Sequence, residues 1–138
     1  MERFRVLILL LLAPIVPAFL TGWLHPRRPD WIAAIHPTPL VSLATVPAGA
    51  LWVDAREPAA YAAGHVPGAL SLSETHWEQG LPIFIGAWKP GIAVIVYCGS
   101  DSCGAGRSVA QRLRRELGID RVRILEGGWD AWHTRDKP

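Results

Sequence analysis

A single α/β domain with a largely parallel central sheet flanked by helices is the fold class this sequence predicts, and three observations predict it. Short apolar runs recur along the chain, at Leu51–Asp54, Leu70–Leu72, Ile92–Tyr97 and Val122–Leu125. Stretches with helix start and stop signals lie between them. The run Ile92–Tyr97 is apolar throughout and rich in β-branched residues, the pattern of a strand covered on both faces. Strands alternating with helices suit a parallel sheet, because each parallel connection has to cross back over it. With 138 residues the chain has room for one such domain and little else.

The N-terminal part is a different kind of polymer. Arg3 and Arg5 precede an apolar run from Val6 to Leu24, interrupted only by Pro14, Pro17, Thr21 and Gly22. As a helix that run would span about 28 Å, close to the hydrocarbon thickness of a bilayer. Residues 1–24 therefore read as a single-pass signal anchor, with a cleaved signal peptide (apolar stretch Val6–Ala13) as the competing reading. The segment has no cysteine for lipoprotein processing. A short basic tail is expected to stay cytoplasmic, which puts the domain on the extracytoplasmic side. Residues 25–40 carry Pro26, Pro29, Pro37 and Pro39 and read as a stiff spacer. Trp23 and Trp31 suit the membrane–water interface.

The domain proper runs from residue 41 to residue 138. Val41–Val46 is weakly apolar and fits either a strand or a helix. Leu51–Asp54 reads as a strand ended by Asp54. Pro58 suits the first turn of a helix through Ala59–Ala63, with Gly64 as its stop. Gly64–Ala69 is a turn, and Leu70–Leu72 a further strand. Ser73–Gln79 reads as a short helix capped by Ser73 and stopped by Gly80. After the strand Ile92–Tyr97, Ser108 and Gln111 fit a capping box, and Val109, Leu113 and Leu117 repeat at helical spacing up to Gly118. Val122–Leu125 is the last strand, followed by Gly127, Gly128 and a short turn at Trp129–Trp132.

Chemistry concentrates between the third strand and the capped helix, in Cys-Gly-Ser-Asp-Ser-Cys-Gly-Ala-Gly-Arg (98–107). Cys98 stands at the carboxyl end of its strand, where open α/β sheets place their ligands. Loop amides and a helix N-terminus favour an anion there. Arg107 lies at the same end, and from Arg107 to Arg123 six arginines face only Glu116 and Asp120. Such a setting holds a thiol below its usual ~8.5 and makes the reactive thiolate. The competing reading of Cys98 is a small buried hydrophobe.

The order of motifs resembles a rhodanese domain. They are Val-Asp-Ala-Arg-Glu-Pro (53–58), Tyr61, Gly-His-Val-Pro-Gly-Ala (64–69), Val-Tyr-Cys-Gly-Ser (96–100), Arg-Ser (107–108) and Leu-Glu-Gly-Gly-Trp-Asp-Ala-Trp (125–132). The resemblance covers about Val41 to His133. It implies a three-layer rhodanese-like fold and a sulfurtransferase that carries sulfane sulfur as a persulfide on Cys98. The implied partners are a small anionic donor such as thiosulfate and a thiol or cyanide acceptor. Gly99, Ser100, Asp101, Ser102, Cys103, Gly104 and Arg107 are the expected substrate-binding residues, and Asp54 and Arg56 the expected pocket support. No cofactor and no metal are implied. Catalytically silent modules and a branch of phosphatases share the fold. The phosphatase reading needs Cys-x5-Arg, which this chain lacks.

One departure stands out. Many single-domain rhodaneses place arginine five residues after the cysteine, where this chain has Cys103; Arg107 comes nine residues after Cys98. The loop is expected to be longer or differently folded. Cys103 reads either as a resolving thiol able to form a disulfide with Cys98 or as a lining residue. Two cysteines do not make a disulfide framework, and no His/Cys cluster has zinc spacing. The net charge of +2 gives no reason to expect a nucleic-acid partner. His65 reads as a structural histidine in a turn, His76 and His133 show no acid–base pairing, and Tyr61 and the C-terminal tryptophans read as core.

Overall fold

The computed structural model describes residues 38–100 and 104–135. The expected anchor or signal at 1–24 and all but the end of the spacer lie outside the described residues. So do Asp101, Ser102 and Cys103. Among the described residues, no helix is long and apolar enough to cross a membrane.

Five strands form one wholly parallel sheet. They are β1 (Leu40–Val41), β2 (Leu51–Asp54), β3 (Leu70–Ser71), β4 (Val94–Tyr97) and β5 (Val122–Leu125). The spatial order β1-β5-β4-β2-β3 puts β4 in the centre. All four of its residues are buried, which is why its sequence is apolar without alternation. Among the described residues the α-helices are α1 (Pro58–Ala63), α2 (Trp77–Ala87), α3 (Gly104–Leu117) and α4 (Gly128–Thr134).

Strand alternation divides the side chains between two cores. On one face Val53, Val94, Val96, Val122 and Ile124 pack with Phe84 of α2 and with Val109 and Leu113 of α3. On the other, Ile95, Tyr97 and Leu125 pack with Val41 and Val66 and with partly buried Trp52, Trp129 and Trp132. Each fully buried Leu, Val or Phe contributes about 1.5–3 kcal/mol relative to exposure. The aliphatic face therefore accounts for much of the fold's driving force.

Three expectations are corrected. Val41–Val46 is neither a strand nor a helix alone: β1 takes Leu40–Val41 and a single 3-10 turn takes Leu43–Thr45. The helix expected to end at Gly80 instead runs from Trp77 to Ala87, with Pro82 inside it. Gly80 is there for close approach, since a Cβ would lie 2.7 Å from the Ser71 carbonyl oxygen and 2.9 Å from Leu72 Cδ1. Burial of Trp77 and Phe84 outweighs the local breakers. Ser73 does not cap this helix; its hydroxyl accepts the His76 N–H at 3.3 Å in the turn before it.

The third correction bears on the site. The arginine-rich helix does not start at Ser108 but at Gly104, so the supposed capping box lies inside it. Two early glycines cost helix stability, roughly 1 kcal/mol each. Gly106 is nevertheless the residue that fits, because a Cβ built on it would already lie 3.3 Å from Cys98 Cβ. The helix is extended backwards by packing on Cys98. At its other end Gly118, at φ 65°, provides the left-handed stop expected from the sequence.

Candidate active site

Cys98 follows the last residue of β4 and is 5% exposed. Tyr97 points to the aromatic face, and alternation sends the Cys98 side chain to the opposite side, against α3. The thiol thus meets the N-terminal turn of a 14-residue helix, the positive end of its dipole. Arg107 is the fourth residue of that helix, not a distant loop residue. The helix begins at Gly104, so Arg107 stands in its first turn, and Arg107 and Cys98 line the same cleft.

A shallow cleft of about 310 Å³ lies beside the thiol. Cys98, Ser100, Arg107 and Glu126 line it, together with Leu40 and Ile124 from β1 and β5. Ser100 and Arg107 are exposed at this cleft, and Gly104 is exposed at the start of α3. Sequence reasoning did not single out Glu126, Leu40 or Ile124 as cleft residues. Glu126 lies in the quoted Leu-Glu-Gly-Gly-Trp motif, which carried the signal. Leu40 is a 56% exposed leucine on an edge strand, and nothing in its local sequence marks it.

The loop's backbone is held from the other face. The Trp129 N–H donates to the Cys98 carbonyl at 2.7 Å, and the Asp130 N–H donates to the Gly99 carbonyl at 3.2 Å. Only glycine serves at position 128: its φ is 52°, and a Cβ would overlap the Cys98 carbonyl oxygen. Gly127 and Gly128 thus let α4 begin directly on the Cys98 backbone.

Asp54 and Arg56 brace this arrangement rather than line the cleft. Asp54 is fully buried at the end of β2, in register with Tyr97. Arg56 donates from Nε to Asp54 Oδ1 at 2.9 Å and from Nη2 to Oδ2 at 2.6 Å, and its own N–H reaches Oδ1 at 2.9 Å. The same Nη2 donates to the Gly64 carbonyl at 2.6 Å, tying down the turn that follows α1. Its guanidinium lies 4.5 Å from the Trp129 ring centroid. The hydrogen bond that Arg56 donates to Asp54 raises the guanidinium above its ordinary pKa, against desolvation, which lowers it. Burial first, and then Asp54, pushes the Tyr97 phenol up, while the Val66 N–H donated to its oxygen at 3.1 Å pulls it down.

The remaining expectations concern the turn after α1. His65 Nδ1 is 2.9 Å from the Tyr61 carbonyl, and its ring stacks on Tyr61 at 3.9 Å. The Tyr61 hydroxyl donates to the Ala69 carbonyl at 2.8 Å. His65 thus has structural partners, as the sequence suggested, whereas Tyr61, expected in the core, is half-buried and ties α1 to the turn through its hydroxyl.

The family model of the rhodanese-like domain matches residues 42–135. The chain belongs to the rhodanese-like family. Solved structures agree on this fold. A Bacillus halodurans protein superposes with a TM-score of 0.60 at 21% identity, over 78% of this chain and 78% of its own. A human single-domain sulfurtransferase gives 0.56 at 25% identity, over 74% of this chain and 99% of its own. A Saccharomyces cerevisiae homolog of single-domain rhodanese and the Cdc25 phosphatase catalytic domain gives 0.53 at 18%, over 70% and 80%. In this rhodanese-like chain, one state of the candidate nucleophile is explicit: Cys98 is disulfide-bonded.

Proposed function

We propose that this protein is a sulfurtransferase that moves sulfane sulfur from thiosulfate or a related anionic donor to a thiol or cyanide acceptor through a Cys98 persulfide. The observation that carries the reading is the placement of Cys98 at the end of the central strand, against the first turn of α3 and beside a cleft that includes Arg107. Similarity to a human single-domain sulfurtransferase supports the same class.

The geometry suggests how the groups divide the work. In the reduced protein the Cys98 thiolate attacks the outer sulfur of the donor. The sulfur–sulfur bond of thiosulfate breaks, and sulfite leaves with the electron pair. The α3 N-terminus favours the thiolate and later the persulfide anion. Arg107 attracts the dianionic donor, and Ser100 offers it a hydroxyl. Asp54 and Arg56 act at one remove, by fixing Trp129 and the turn at Gly64. A nucleophilic acceptor then takes the terminal sulfur. Because Cys98 is held in a disulfide here, the working form is the reduced one.

Sulfite release from thiosulfate by reduced protein tests this reading. Wild type is expected to release it; Cys98→Ser is expected to reduce it to background while keeping the same far-UV circular dichroism. Release by a folded Cys98→Ser protein would sink the assignment of the nucleophile.

The apolar run at residues 6–24 supports tethering to a membrane, with the domain on the extracytoplasmic side. The full-length chain is then expected to stay with membranes through an alkaline wash, and a chain starting near Asp30 to be recovered in solution. Recovery of a soluble chain shortened near residue 20 would favour a cleaved signal instead.

A further inference from the structure

The cleft beside Cys98 carries more than an anionic donor needs. Ser100 and Arg107 suit thiosulfate, but Glu126 lines the same cleft, and a carboxylate repels a dianion. Leu40 and Ile124, register partners on β1 and β5, add an apolar strip to the lining, for which thiosulfate has no carbon chain. Leu40 keeps 56% of its surface exposed there. Glu126 is fixed through its backbone: its N–H donates to the Val41 carbonyl at 2.9 Å and so extends the pairing of β1 with β5. Its side chain is exposed, and among the described residues neither Glu126 nor Arg107 enters an ion pair. One cleft thus presents a cation, an anion and an apolar strip beside a thiol that is only 5% exposed.

We propose that Glu126 selects the acceptor, and that the cleft takes a small aminothiol: a protonated amine and a thiol joined by a short carbon chain. The proposal rests on the sulfurtransferase reading above and names the acceptor class within it. The ammonium pairs with the Glu126 carboxylate, the carbon chain covers Leu40 and Ile124, and Arg107 favours the thiolate. That thiolate attacks the outer sulfur of the Cys98 persulfide. A bond forms between the acceptor sulfur and the outer sulfur. The bond from the outer sulfur to Cys98 Sγ breaks, and Cys98 leaves with the electron pair as a thiolate. The proton of the acceptor thiol passes to solvent. The sulfane sulfur changes its carrier without net oxidation or reduction.

The two substrates meet Glu126 with opposite charges. The carboxylate works against the dianionic donor and for the cationic acceptor, so its removal has opposite effects on the two half-reactions. A side chain that only holds the fold together has no such signature. Cyanide, with neither a cation nor a carbon chain, uses none of these contacts.

Turnover of the reduced full-length chain tests the proposal. Thiosulfate is the donor, and the acceptor is either cysteamine, a cation at neutral pH, or mercaptopropionate, an anion of similar size. The ratio of their kcat/KM values is compared between wild type and Glu126→Gln, so that the intrinsic reactivities of the two thiols cancel. An exposed ion pair changes binding by up to about fivefold. Loss of attraction for the cation and loss of repulsion for the anion multiply, so the ratio is expected to fall about tenfold. The rate of the sulfite burst before acceptor is added is expected to rise, by up to about fivefold, because a like charge has gone. Glu126→Asp is expected to restore the preference for cysteamine. A fall in both half-reactions, or an unchanged ratio with sulfite still released, would overturn the acceptor assignment and leave sulfur transfer standing. Absence of sulfite from reduced wild type would remove the sulfurtransferase reading itself, and this proposal with it.

Discussion

The two faces of the sheet hold the same strand by different chemistry. Against α2 and α3 the contacts are aliphatic or aromatic and non-directional: Val53, Val96, Phe84, Val109 and Leu113 fill space. Against α4 and the turn at Gly64 they are directional: a carboxylate–guanidinium pair, a guanidinium over an indole, and edge-to-face rings such as Trp52 on Trp132 at 5.3 Å. Cys98 stands where the two meet. Its side chain rests on the helix of the packed face, and its carbonyl is held by the helix of the directional face. The first face thus supplies stability and a helix terminus, while the second sets the backbone from which the thiol projects.

If that division is right, equally damaging substitutions on the two faces should differ in what they do to sulfur transfer. The largest loss is expected for Asp54→Ala, which leaves the Arg56 guanidinium without its carboxylate, its side chain only 11% exposed. Breaking such a pair costs about 3–5 kcal/mol. Leu113→Ala, on the packed face, is expected to cost about 2–5 kcal/mol through lost burial and a cavity. Urea unfolding measures both. Sulfite release per folded molecule should fall at least tenfold in Asp54→Ala and stay within twofold of wild type in Leu113→Ala. Equal losses of activity would break the comparison.

The same division explains what was legible in the sequence. The packed face obeys periodicity, so β2, β4, β5 and the body of α3 could be read from apolar spacing. It failed at α2, where Gly80 and Pro82 look like stops but the Ser71 backbone and the Phe84 pocket impose a helix. It failed again at Gly104, where helix is induced by contact with Cys98. The directional face has no period. Arg56 is far in sequence from the adjacent Gly128 and Trp129 and meets them only through the fold. They were visible as fragments of a family pattern, without a hint that α4 holds the Cys98 carbonyl. The Cys98 cleft was half legible: its loop residues could be named, while Leu40 and Ile124 arrive from β1 and β5 through strand order alone.

Gly128→Ala sharpens the contrast further, because it moves the Cys98 backbone without removing any packed side chain. A left-handed φ costs a residue with a Cβ about 1–3 kcal/mol, and here the overlap with the Cys98 carbonyl oxygen adds to that. The relief available is to push the Cys98 carbonyl away, which lengthens the bond from the Trp129 N–H. Sulfite release per folded molecule is expected to fall more steeply than stability does. A variant that loses stability but keeps wild-type turnover would show that the α4 contact does not set the position of the thiol.

The smallest expected effect, and the one most specific to the directional face, is that of Tyr97→Phe. At neutral pH it removes the oxygen that accepts the Val66 N–H and leaves that buried donor unpaired, a loss of about 1–2 kcal/mol. Its distinctive signature is alkaline. In the folded protein, burial and then Asp54 raise the phenol above its ordinary value of 10.0, so the native state holds the proton more tightly than the unfolded chain does. That contribution is complete below the unfolded value and is lost as pH climbs from there toward the folded one. Urea midpoints for wild type should therefore decline more steeply above about pH 10 than those of Tyr97→Phe, which has no phenol to ionise at this position. The gap between the two proteins, set at neutral pH by the hydrogen bond to Val66, should narrow there. A gap that stays constant through this range would mean that Tyr97 ionises alike in both states, and that the aromatic face is wetter than its packing around Arg56 and Trp129 implies.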